Sequence, residues 1–150
     1  MKIYVATSWK NILQPAVVAA LRSLSQEVYD FRHPVKGDDG FSWSEIDPNW
    51  TNWTNEQYLE ALEHSAAKRG FKFDMDALEA CDMCILVLPC GRSAHLELGY
   101  AQGANKRTMI LLQQDNRDVE AELMYKMVDR IVTTFDDMLK YIEELTTVTA

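Results

Sequence analysis

Apolar residues recur along this chain in two rhythms, a short one suited to strands and a longer one suited to helices. Residues 2–7 are rich in Ile, Tyr and Val and read as a buried strand. From Pro15 the apolar positions Val18, Leu21 and Leu24 follow helical spacing, and proline suits a first helical turn. Residues 27–31 form a second short strand. Thr54 is placed to cap a helix through Tyr58, Leu59 and Leu62 that ends before Gly70, and a further helix spans residues 74–80. The most apolar run, residues 83–88, predicts a central parallel strand covered on both faces. A turn at Pro89-Cys90-Gly91-Arg92 follows, with Ser93 able to cap a helix reaching Gln102. Residues 109–112 and Arg130–Val132 give two more strands. A last helix starts near Thr134 and runs through Met138, Leu139, Ile142 and Leu145.

Strands alternating with helices predict an α/β fold, a three-layer sandwich around a mostly parallel, flavodoxin- or Rossmann-like sheet, with residues 1–150 as one domain. Ligands of such sheets sit at the carboxyl ends of the strands, near the point where strand order reverses. Those ends carry Thr7-Ser8-Trp9-Lys10, the stretch holding Trp43, Trp50 and Trp53, and Gly91-Arg92-Ser93. The tryptophans either stack on a base or pin a long loop to the core, the commoner use of large aromatics.

Charge narrows the partners. A net charge of −8 argues against wrapping long nucleic acid, which draws on clustered Lys and Arg, but leaves room for a mononucleotide held at a helix start. No stretch approaches the roughly 20 apolar residues that cross a bilayer, and the apolar run after Met1 is too short for a signal peptide. Cys81, Cys84 and Cys90 are too few and too close for a disulfide framework, so a cytoplasmic protein is expected.

Glu97 falls about one turn into the helix after the central strand, where the helix dipole favours its ionised form. It either complements the dipole or serves as a carboxylate nucleophile, and position alone fits both. Asp74 has the same duality: an N-cap, or a second carboxylate managing a proton on one sugar. His95-Leu96-Glu97 matches the H-x-E of zinc deaminases, but no cysteine follows Cys90 to complete that site. A zinc site from Cys81, Cys84, Cys90 and His95 is set aside because Cys84 lies in a buried strand, and no glycine-rich dinucleotide or ATP loop follows any strand. His33 and His64 read as surface residues.

Four segments together resemble the nucleoside 2-deoxyribosyltransferase family and its relatives, the nucleoside 5′-monophosphate N-glycosidases. They are Lys2-Ile3-Tyr4-Val5-Ala6; Asp74 through Asp82; Glu97-Leu98-Gly99-Tyr100-Ala101 with Gly103 and Lys106; and Glu122-Leu123-Met124. The resemblance implies an enzyme that cleaves or transfers at the N-glycosidic bond of a nucleoside or nucleotide. Glu97 would be the nucleophile of a covalent glycosyl intermediate, Asp74 would act on the leaving base, and Tyr4 would orient Glu97. Trp9 would form part of the base pocket. Glu122 and Met124 would be lent to a neighbouring subunit's site, making the protein a homo-oligomer. No metal or organic cofactor is implied.

Three positions depart from the transferase pattern. Gly91 stands where transferases commonly carry Asp, Glu122 where they carry Asn, and the segment 41–53 has no counterpart. The monophosphate-cleaving relatives grip phosphate from two places, occupied here by Ser8 with Lys10 and by Gly91-Arg92-Ser93. Two cations and two hydroxyls beside helix N–H groups suit a phosphate, although such Lys and Arg are also ordinary surface charges. Transferase, hydrolase and non-catalytic nucleotide-binding module all stay open.

Overall fold

The computed structural model describes residues 1–112 and 121–148, and the chain divides into two compact units. The first comprises Met1–Tyr29 with Leu78–Ala150, and the second Asp30–Ala77. The strands are β1 (Lys2–Ala6), β2 (Glu27–Tyr29), β3 (Met83–Val87), β4 (Arg107–Leu111) and β5 (Arg130–Val132). The helices are α1 (Gln14–Ser23), α2 (Asn55–Leu62), α3 (Ser65–Ala80), α4 (Arg92–Gly103) and α5 (Phe135–Val148).

The first unit is built on a sheet of order β2-β1-β3-β4-β5 in which every pair is parallel. This is the flavodoxin-like arrangement, with its order reversal between β1 and β3. Side chains alternate across the sheet. Ile3, Val5, Met83, Ile85, Val87, Met109 and Leu111 join Val17, Val18 and Leu21 of α1 and Met138 and Ile142 of α5 in one core. The opposite set, Tyr4, Ala6, Cys84, Leu86, Thr108 and Ile110, is also buried, on the side where α4 packs across β1, β3 and β4. All five residues of β3 are buried, which explains its unbroken apolar run. Strand β2 stops earlier than residue 31 because the Asp30 carboxylate accepts the Arg32 N–H at 2.9 Å and turns the chain. Pro15 lies in the first turn of α1, and Thr134 accepts the Asp137 N–H at 3.0 Å to open α5, both as the pattern predicts.

The second unit corrects the expected helix boundaries. Thr54 and Gln57 do cap α2 reciprocally, the Thr54 hydroxyl accepting the Gln57 N–H and the Gln57 side chain accepting the Thr54 N–H. However, the helix ends at Leu62, and α3 already starts at Ser65. His64 is exposed, as expected, and it opens α3 by accepting the Ala66 N–H on Nδ1 at 3.0 Å. Gly70 does not stop a helix but lies inside α3, where a Cβ would stand 2.8 Å from the Phe41 Cβ. The glycine serves close packing, and a periodicity reading cannot distinguish that from termination. Asp74 therefore sits mid-helix and half-buried, and the capping alternative for it falls away.

The tryptophan-rich stretch forms its own aromatic cluster. Trp43 packs edge-on against Phe41, Trp53 and Tyr58 at centroid distances of 4.8, 5.7 and 6.0 Å. The Trp53 indole donates to Asp47 at 2.8 Å, and Arg69 pairs with Asp38 at 2.8 Å. Trp43 and Trp53 pin the long connection to α2 within this unit, while Trp50 stays exposed.

Candidate active site

The order reversal of the sheet places the ends of β1 and β3 side by side, and hydrogen bonds weld the two loops that leave them. The Thr7 hydroxyl donates to the Val87 carbonyl at 2.7 Å. Asn11, 3% exposed, donates through Nδ2 to Thr7 Oγ1 at 3.0 Å, the Val87 carbonyl at 3.3 Å and the Pro89 carbonyl at 3.2 Å. Its Oδ1 accepts the Leu13 N–H at 2.8 Å and leads the chain into α1. Sequence reasoning missed Asn11. Its only local signal is an Asn shortly before a proline-led helix, which also describes an ordinary turn.

These bonds bring the loop of Ser8, Trp9 and Lys10 alongside the turn of Gly91, Arg92 and Ser93. Ser8 accepts the Lys10 N–H at 3.1 Å, while Trp9, Lys10, Arg92 and Ser93 are exposed. Ser93 does not cap α4. Gly91 occupies the cap position in extended conformation, no side-chain oxygen caps the helix, and the space where a Gly91 Cβ would stand is open. A serine two residues past the cap cannot reach back, because the cap oxygen must come from the residue preceding the first helical turn.

Glu97 follows on α4. At 100° per residue, Ala94, Leu98 and Ala101 form the buried stripe and Glu97 lies along one edge, half-buried. Its charge reaches two thiols. Burial, with the Glu97 carboxylate adding to it, pushes Cys90 up to about 12. Burial first, then Cys81 and Glu97, raises Cys84 well above an ordinary thiol. Cys84 lies on the α4 side of β3, directly paired with Tyr4 of β1. Tyr4 is 1% exposed and stacks on Tyr29 at 5.3 Å. Glu97 and Tyr4 are thus brought to the same side of the sheet, at the order reversal.

Cys90 also lies 3.7 Å from His95 Nδ1, which invites a thiol–histidine nucleophile. A thiol held near 12 stays protonated at neutral pH and is a poor nucleophile.

The opposite edge of α4 borders a cavity of about 600 Å³. His95, Leu98, Gly99 and Gln102 line it from the helix, facing Glu122, Met124 and Tyr125. Helical angles put Glu97 roughly half a turn away from this wall. Glu122 and Met124 are therefore not brought to Glu97 within one chain. Glu122 caps the short turn Leu123–Met127, accepting the Met124 N–H at 3.0 Å. Asp74 belongs to the second unit. Among the described residues no group of three His, Cys, Asp or Glu is placed to hold a metal ion, and no helix is long and apolar enough to cross a membrane.

No family profile and no curated protein matches the chain. Solved structures do. The CMP N-glycosidase BcmB of Clostridium botulinum aligns over 95% of this chain and 99% of its own, at 16% identity and a TM-score of 0.53. A conserved protein from Enterococcus faecalis V583 aligns over 96% of this chain and 98% of its own, at 17% identity and a TM-score of 0.53. At these identities the likeness establishes a shared α/β fold.

Proposed function

We propose that this protein is an N-glycosidase of nucleoside 5′-monophosphates, with Glu97 as the nucleophile. The observation that carries the reading is the placement of Glu97: half-buried, beside Tyr4's side of the sheet, on the helix that leaves the order reversal. In the proposed reaction a Glu97 carboxylate oxygen bonds to the sugar C1′ as the C1′–N bond breaks, and the bonding pair leaves with the base. Tyr4 orients the carboxylate. The resemblance assigns protonation of the departing base to Asp74. Water then hydrolyses the glycosyl ester, returning the carboxylate and a ribose 5-phosphate-type product.

The uncapped start of α4 supports a monophosphate. Its cap residue, Gly91, has no side chain to offer the first N–H groups, and a phosphate would satisfy them, with Ser8, Lys10, Arg92 and Ser93 at hand. Hydrolysis is favoured over transfer by a structural neighbour that is itself a CMP N-glycosidase, while Gly91 in place of the transferases' Asp bears on base recognition. Incubation with nucleosides, with their monophosphates and with a free acceptor base separates the readings by chromatography. Free base from monophosphates alone is expected. A base-exchanged nucleoside would make the protein a transferase, and binding without release would make it a binding module.

The same reading makes the protein a homo-oligomer. Leu123 is 75% and Met124 56% exposed, and Leu96 on α4 is 76% exposed, apolar surface that a second copy would cover. Light scattering is expected to give a dimer or larger assembly. A monomer at assay concentration would remove Glu122 and Met124 from the substrate site.

A further inference from the structure

We infer that His95 is a positioning residue, which fixes the Gly91–Arg92 peptide so that the Arg92 N–H faces the 5′ end of a bound nucleotide. The inference rests on the monophosphate reading above and assigns a residue that reading does not use. His95 Nδ1 lies 2.8 Å from the Gly91 carbonyl, and Nε2 lies 2.8 Å from the Tyr125 hydroxyl. A carbonyl only accepts, so Nδ1 carries the proton. In the neutral ring Nε2 then accepts from Tyr125. The two rings also stack, with centroids 5.8 Å apart and planes 17° from parallel.

The need for such a hold comes from Gly91 itself. Gly91 caps α4, so its carbonyl already takes the first helical N–H, but it has no side chain to brace the turn and nothing stands where its Cβ would be. In a planar trans peptide the C=O and the following N–H point in opposite directions. The His95 ring adds a second donor to the Gly91 oxygen and so holds that peptide in the helical orientation, in which the Arg92 N–H points back out of the helix start. Tyr125 sets the ring's direction from the turn Leu123–Met127. Burial, with Cys90 and Glu122, raises the phenol above its ordinary range, which keeps it a hydroxyl donor at neutral pH.

The test is a comparison of steady-state constants for a nucleoside monophosphate and its parent nucleoside. His95→Gln removes the donor next to Gly91 and is expected to raise KM for the monophosphate roughly tenfold, the worth of one well-placed hydrogen bond. The kcat and the constants for the nucleoside are expected to stay within about twofold. His95→Asn places an amide N–H where Nδ1 was and is expected to restore most of the loss. Tyr125→Phe, which keeps the stack and loses only the hydroxyl, is expected to move KM in the same direction as His95→Gln. Equal losses on both substrates, a loss in kcat alone, or His95→Asn as harmful as His95→Gln would overturn the assignment. Should the wild type release no base at all, the glycosidase reading fails separately. Calorimetric titration with inorganic phosphate then decides this inference, which stands if His95→Gln and Tyr125→Phe weaken phosphate binding and falls if they do not.

Discussion

Glu97→Gln loses base release from nucleoside monophosphates by at least about a thousandfold in kcat, with the fold intact by circular dichroism. The substitution keeps the shape of the side chain but replaces the oxygen that must bond to C1′ with an amide, which cannot form the ester and cannot carry the charge. A second readout of the same variant is independent of turnover. The Glu97 carboxylate adds to burial in holding the Cys90 thiol up at about 12, so its removal lowers that value while burial keeps it above the ordinary range. More thiolate means faster alkylation, and peptide-mapped iodoacetamide labelling of Cys90 at mildly alkaline pH is expected to quicken in the variant. Full turnover in Glu97→Gln would exclude it as the nucleophile. Unchanged labelling would mean that its charge does not stand near Cys90.

Asn11→Ala lowers the unfolding free energy by about 1–3 kcal/mol, because the buried amide no longer bridges the Val87 and Pro89 carbonyls, of which Val87 keeps the Thr7 hydroxyl, and a small void opens. The expected signature is a lower urea midpoint. Asn11→Asp is expected to cost more, since it keeps the acceptor for Leu13 but sets a negative charge against the same carbonyls. Both variants loosen the β1 and β3 loops from one another, so KM for a monophosphate rises in the material that stays folded. A midpoint within error of the wild type would show that Asn11 does not join these loops in solution.

The strands were legible because their causes are local. The run Met83 to Val87 is apolar at every position, which only a strand covered on both faces accommodates, and the heights of α1 and α5 follow from proline and threonine at their starts. Glu97 was legible as a candidate for the same reason: a carboxylate just inside a helix that follows a buried strand has few places to be. Ser93 and Gly70 misled because each residue type has two uses with one local signature. Serine caps a helix only from the residue before its first turn, and glycine ends a helix or lets another chain segment approach it. Asp74 was misplaced as a consequence, since a stop at Gly70 forces a new helix to start near it.

By itself the sequence determined the parallel α/β sheet, the two loops at the carboxyl ends of β1 and β3 and the position of Glu97 just inside the following helix, since these follow from periodicity and chain order. Only the tertiary structure decided which edge of α4 Glu97 occupies, that Asn11 joins the β1 and β3 loops, and that His95 links Tyr125 to Gly91. Those facts depend on groups distant in sequence meeting in space. Hydrogen bonds between such groups leave no period in the chain, because each partner is free to be a common polar residue until the fold brings the other within 3 Å of it.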